Sequence, residues 1–68
     1  MGFMIEAEKR PDNRFELVFR IEEYCFAISK PVKTQREINL ALALTRKLFE
    51  PCDNESALNI AFAMNDKL

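Results

Sequence analysis

Glu6, Glu8 and Glu16 are the residues whose type and spacing come nearest to acid–base chemistry. Glu6 and Glu8 alternate along one stretch, and a hairpin that follows sets Glu8 opposite Glu16, the pairing by which two carboxylates share a proton. Arg10, Arg14 and Arg20 fall on or near the same surface, so the group reads as a solvated lattice of opposite charges rather than a general acid and base. The chain has no His, its only Gly is Gly2, and no nucleophile stands beside a plausible base. Enzymatic activity is not expected from this inventory. Cys25 and Cys52 are the two thiols, without a Cys-x-x-Cys pair or a histidine to complete a metal site. They read as reduced cysteines in a cytosolic protein, with no metal or cofactor, and a redox role would rest on Cys52 alone.

The elements that carry these residues follow from apolar spacing. Phe15, Leu17, Phe19 and Ile21 fall on every second position with Arg14, Glu16, Arg20 and Glu22 among them, the pattern of a half-buried strand. Phe3-Ile5-Ala7 and Tyr24-Phe26-Ile28 repeat the period on either side. Arg10-Pro11-Asp12-Asn13-Arg14 has the chemistry of a type I turn followed by a left-handed residue, the three-residue hairpin loop. Pairing Arg10 with Arg14 then sets Ala7 opposite Leu17, Ile5 opposite Phe19 and Phe3 opposite Ile21. A loop one residue longer would bury Glu6 and Glu8 instead. The second turn, Glu22-Glu23, lacks the Gly, Asn or Asp that a two-residue loop favours. It nevertheless aligns Ile21 with Tyr24, Phe19 with Phe26 and Leu17 with Ile28, and the rival, one bulged strand over 14–29, exceeds the usual strand length.

Pro31 is expected to close the third strand. Thr34-Gln35-Arg36-Glu37 has the spacing of a capping box, which starts a helix that runs to about Phe49 and stops at Pro51. Its apolar residues, Ile38, Leu40, Ala41, Leu42, Leu44, Leu48 and Phe49, span an arc of about 200°, twice what one contact surface needs. This helix must touch the sheet and a second thing, either the last helix or another chain. Asp53 or Asn54 caps a second helix to about Asp66, with Ala57, Ile60, Ala61, Met64 and Leu68 as its main stripe. The fold class is therefore α+β: a three-stranded antiparallel β-meander followed by two α-helices, β-β-β-α-α, packed on one sheet face.

The 68 residues make one small domain, 49% hydrophobic, with 10 basic and 11 acidic side chains and a formal net charge of −1. That balance announces neither a polyanion binder nor an acidic mimic. No apolar run reaches the roughly 18 residues a bilayer requires, and no basic segment with an apolar stretch and cleavage site opens the chain, so a cytoplasmic protein without membrane contact is expected.

Three surfaces suit a protein partner, one of them the broad apolar arc of the first helix. Met4, Val18, Cys25 and Ala27 fall on the sheet face opposite the core, with Val18 opposite Ala27, and Leu58 and Phe62 lie off the last helix's main stripe. The third strand is also an open edge to which a partner strand could add. The alternative is nucleic acid: Lys30, Lys33 and Arg36 gather at the start of the first helix, with Arg46 and Lys47 on its polar arc. The order of three strands then a helix is similar to that of small DNA-binding domains that lay a sheet in the major groove, such as the plant AP2 domain and the arm-binding domains of some phage integrases. That resemblance is topological, covers about the first 50 residues, and sets Glu6, Glu8 and Glu16 on the presumed reading face. The expectation is thus a non-enzymatic interaction module, a small inhibitor, adaptor or host-modulating protein of bacterial or phage type. It would act by occluding another protein or by pairing with its own copy.

Overall fold

A computed structural model describes residues 2–68. Three strands, β1 (Met4–Lys9), β2 (Phe15–Ile21) and β3 (Tyr24–Ala27), precede two helices, α1 (Gln35–Phe49) and α2 (Asn54–Asp66). The sheet is an antiparallel meander of order β1-β2-β3. Its register is the one the apolar alternation demands, with Ile5 opposite Phe19, Ala7 opposite Leu17, Phe19 opposite Phe26 and Ile21 opposite Tyr24. Both helices pack on the sheet, α1 over β1 and β2 and α2 over β2, and both contribute to one core.

The first turn is built as its residues require. Arg10 N–H donates to Arg14 O at 2.7 Å, Asn13 N–H donates to Arg10 O at 3.0 Å, and Asn13 takes the left-handed φ of 67°. Asp12 steadies the turn by accepting the Arg14 N–H at 3.0 Å. In the second turn only Glu22 has positive φ, at 49°, which excludes a type I′ turn because that needs both central residues there. A glutamate in this region costs about 1 kcal/mol, and the pairing of Ile21 with Tyr24 across the turn holds it there.

The ladder of the third strand ends at Ile28, whose N–H donates to Leu17 O at 2.9 Å, while the Ser29 hydroxyl accepts the Leu17 N–H at 2.9 Å in place of a backbone carbonyl. Pairing then resumes beyond Pro31, where Val32 and Phe15 exchange two bonds of 2.8 Å. The strand therefore ends at Ala27, ahead of Pro31, the Ser29 hydroxyl supplying the acceptor that a ladder carbonyl would have given Leu17, and only an isolated bridge follows the proline.

Thr34 caps α1 by accepting the Glu37 N–H at 3.1 Å. Its hydroxyl donates to the Glu37 carboxylate at 2.9 Å, so the Glu37 side chain meets the threonine hydroxyl and not the backbone N–H of a full capping box. Asp53 is the cap of α2 and accepts the Ser56 N–H at 2.8 Å. Buried Ile5, Leu17, Phe19, Ile21 and Ile28 from the sheet meet Ile38, Phe49, Ala57 and Ala61 from the helices. Ala57 and Ala61 are fully buried. Leu68, expected on the α2 stripe, lies past the helix end and is half exposed.

Phe19 is fully buried at the centre, so Phe19→Ala removes the ring and leaves a cavity. The loss is expected to be about 3–5 kcal/mol, close to the whole stability of about 3–10 kcal/mol for a domain of this length. Urea titration followed by far-UV circular dichroism should show little or no folded baseline.

The two turn and cap aspartates set the acid limit of the fold. The Arg14 N–H holds Asp12 below the ordinary aspartate value, and the Ser56 N–H does the same for Asp53. A carboxyl with a lowered folded pKa stabilises fully above its unfolded value, and that contribution is lost as pH falls through the folded one. The urea midpoint should therefore decline below about pH 4. Asp53→Asn keeps a capping oxygen but removes the titration, so the decline should be shallower in that variant.

Candidate functional site

The sheet face turned away from the helices is closed by charge. Arg20 sits between Met4 and Cys25 in the register, and in the next row Val18 sits between Glu6 and Ala27. The Arg20 guanidinium reaches back along this face to pair with Glu6 at 3.5 Å and with Glu8. The Glu8 bond raises Arg20 above its ordinary guanidinium value, so it stays charged. Glu16, directly opposite Glu8, is met by Arg10 instead, at 3.5 Å. Each carboxylate of the facing pair thus has its own arginine, and the lattice reading of these residues holds.

This arrangement corrects the expected oily centre. Val18 is only 6% exposed, enclosed by Glu6, Arg20 and Ala27, and offers no side chain to a partner. Met4 is 57% exposed and Cys25 is exposed, but Arg20 stands between them, and Ala27 is half-buried. The four residues lie on one face without forming a continuous apolar surface.

The second expected patch also has an internal role. Phe62 stacks on Phe26 at 5.1 Å and meets Tyr24 edge-on at 5.5 Å, while Leu58 packs against the core. Phe62 keeps 39% exposure, yet it is the contact by which α2 holds β3. The β3 edge is not open for strand addition along its length, because Asn65 donates to Ala27 O at 2.8 Å. At the opposite edge the Arg46 guanidinium donates to Ile5 O at 3.0 and 3.3 Å. Arg46 is therefore occupied at the sheet. Lys30, Lys33 and Arg36 are exposed around the start of α1, and Lys47 is exposed eleven residues beyond Arg36, about 16 Å along the helix.

A row of exposed apolar side chains lies on α1. Ile38 and Phe49 are buried and Ala41 and Leu42 partly so, which defines the face turned to the sheet. Leu40, Leu44 and Leu48, spaced four apart, are 63%, 61% and 61% exposed. The 200° arc read from the sequence required a second contact, and within this chain α2 does not supply it. At about 100° per residue Leu44 lies roughly 130° around α1 from the buried Ile38 and Phe49, and α2 makes its contacts with β3 through Phe62 and Asn65. The row was legible as surplus apolar arc; its exposure depends on where α2 settles.

A shallow groove of about 280 Å³ opens between β1 and the end of α1, lined by Phe3, Met4, Ile5, Arg46, Phe49 and Glu50. It falls below the usual range of ligand sites, and its one cation already holds Ile5 O. Among the described residues no three His, Cys, Asp or Glu side chains gather to hold a metal, both cysteines are free thiols, and no helix is long and apolar enough to cross a membrane. Compared with protein-family models, curated proteins and solved structures, the chain matches none. The surfaces themselves therefore carry the functional argument.

The enclosure of Val18 is open to direct measurement. Val18→Asp places a third carboxylate against Glu6 with no free cation, and should lower stability by about 1–3 kcal/mol. An unchanged urea midpoint would show that the side chain is open to water.

Proposed function

We propose that this chain is a non-enzymatic protein-interaction module that binds and occludes a surface of a protein partner, with the Leu40-Leu44-Leu48 row of α1 as its docking face. The observation that carries the reading is the contrast in exposure. Core positions of the sheet and helices are 0–7% exposed, whereas three leucines in line on one helix are more than 60% exposed. A row at this spacing is the form in which a helix presents an apolar face to a groove or to another helix.

Nucleic acid is the weaker reading. Lys30, Lys33, Arg36 and Lys47 are exposed, but Arg46 is bonded to the sheet and the outer sheet face bears Glu6, Glu8 and Glu16. A phosphate backbone would meet a divided surface.

A benzophenone amino acid placed at position 44 in the producing cells tests the choice. The expected product is one discrete protein adduct, lost when Leu40 and Leu48 are both replaced by Asp. Each leucine removed from a contact forfeits about 1.5–3 kcal/mol, so the pair should weaken binding by about 100-fold or more. Adducts with nucleic acid alone, or none at all, would refute the docking face.

A further inference from the structure

We infer that Arg20 is a salt-released strap: held by Glu6 and Glu8 it covers Val18 on the outer sheet face, and once released it bares an apolar surface of Met4, Val18, Cys25 and Ala27. The strap lies on the opposite side of the sheet from the helices and is independent of the docking face on α1.

Burial shows that a cover exists. Among the described residues Val18 is the one buried apolar side chain outside the core cluster that the sheet and helices share. It belongs to the face that neither helix covers, yet it is almost as enclosed as the core itself. Its neighbours in the row are Glu6 and Ala27. An alanine is too short to shade a valine, so the shelter comes from the long side chains around it.

Arg20 is placed to give that shelter. It stands one row from Val18, opposite Met4 and Cys25, and its anchor Glu8 stands one row beyond Val18, opposite Glu16. A guanidinium that bonds Glu8 therefore runs along the seam between Val18 and Glu6, and its pairing with Glu6 at 3.5 Å marks that path. The stem lies on apolar surface while the charged head stays in water, the habit of long basic side chains. Among the described residues Glu6 and Glu8 form ion pairs with Arg20 alone, because Arg10 is engaged by Asp12 and Glu16.

The fastening is weak by its nature. Arg20, Glu6 and Glu8 are all partly exposed, and ion pairs in water contribute little and are screened by salt. The aromatic core has no such dependence. Salt therefore loosens the strap while the fold persists, and with the guanidinium lifted away Val18 joins Ala27, Cys25 and Met4 in one apolar surface.

Methyl relaxation in NMR, with a neutral gadolinium chelate as the solvent probe, tests the strap. The Leu17 methyls, on the core face of the same strand and 1% exposed, are the internal reference. Between about 0.01 M and about 1 M sodium chloride the screening length falls from about 30 Å to about 3 Å, and the Val18 enhancement relative to Leu17 should rise about twofold or more. Arg20→Ala should show at least that rise already at low salt. Glu8→Lys, which repels the guanidinium without altering the Val18 row, should do the same, and both variants should lose the salt dependence. A Val18 enhancement that stays constant with salt in wild type, or is unchanged in Arg20→Ala, would overturn the strap. A rise in Arg20→Ala alone would show that the stem covers Val18 whatever holds its charge, and that also overturns release. A variant whose Leu17 methyls open as well has unfolded, and the wild-type salt series then decides.

Discussion

The ring of Phe19 lies 5.7 Å from Phe3, 5.7 Å from Phe26 and 5.9 Å from Phe49, in the middle strand of a sheet only three strands wide. Phe3 and Phe49 also meet each other, at 5.9 Å, and Phe26 passes the contact on to Phe62 and so to Tyr24. Six rings thus form one chain from the end of α1, across the sheet, to α2. Each such pair adds about 0.5–1.5 kcal/mol beyond the area it buries. In a domain with a small core that sum is a large share of what opposes chain entropy. The four residues of β3 have no neighbouring strand on their outer side, and Phe26 fixes them by joining Phe19 and Phe62 while Tyr24 meets Phe62.

Two of three strands in such a sheet are edges, and each edge is held by a side chain from a helix. Leu17 faces its carbonyl toward Ile28, so by alternation Ile5 and Ala27 turn theirs outward, and Arg46 and Asn65 bond to these two oxygens. Each bond removes an acceptor that a foreign strand would use. It also fixes the helix that provides it: α1 is tied to the β1 edge, and α2 to the β3 edge. Both helices still share one core, where Ile38 and Phe49 meet Ala57 and Ala61, and the leucine flank of α1 is left exposed.

Much of this was legible in the residues because it is local. The turn at Pro11-Asp12-Asn13 and the alternation through Phe15, Leu17, Phe19 and Ile21 specify one register, and any slip would bury glutamates. Ser29 was not legible, since its hydroxyl replaces a ladder bond only once the strand breaks ahead of Pro31. Val18 misled for a related reason. An apolar residue on an outer face looks exposed until an arginine two places along folds back over the row, and Arg20 could have paired with several acids. The width of the apolar arc on α1 was visible, but whether α2 would cover it depended on Phe62 and Asn65, long-range contacts that no local pattern specifies.

The leucines at 40, 44 and 48 are not explained by the fold that carries them. Leucine, lysine, arginine and glutamate have nearly equal helix propensities, so α1 would form as readily with charged residues at these positions. Leu40, Leu44 and Leu48 keep more than 60% exposure, and a lysine or arginine at such positions would lay its stem on the same surface while keeping its charge in water. A sequence with 31% charged residues is not short of such side chains, and it places them at Arg36, Lys47 and Glu50 immediately beside the row. Apolar residues in line, bordered by charges of both signs and unneeded for stability, gain their free energy only when the row leaves water. That gain would exist in an associated state and not in the isolated chain, which is the physical ground for the docking face proposed on α1.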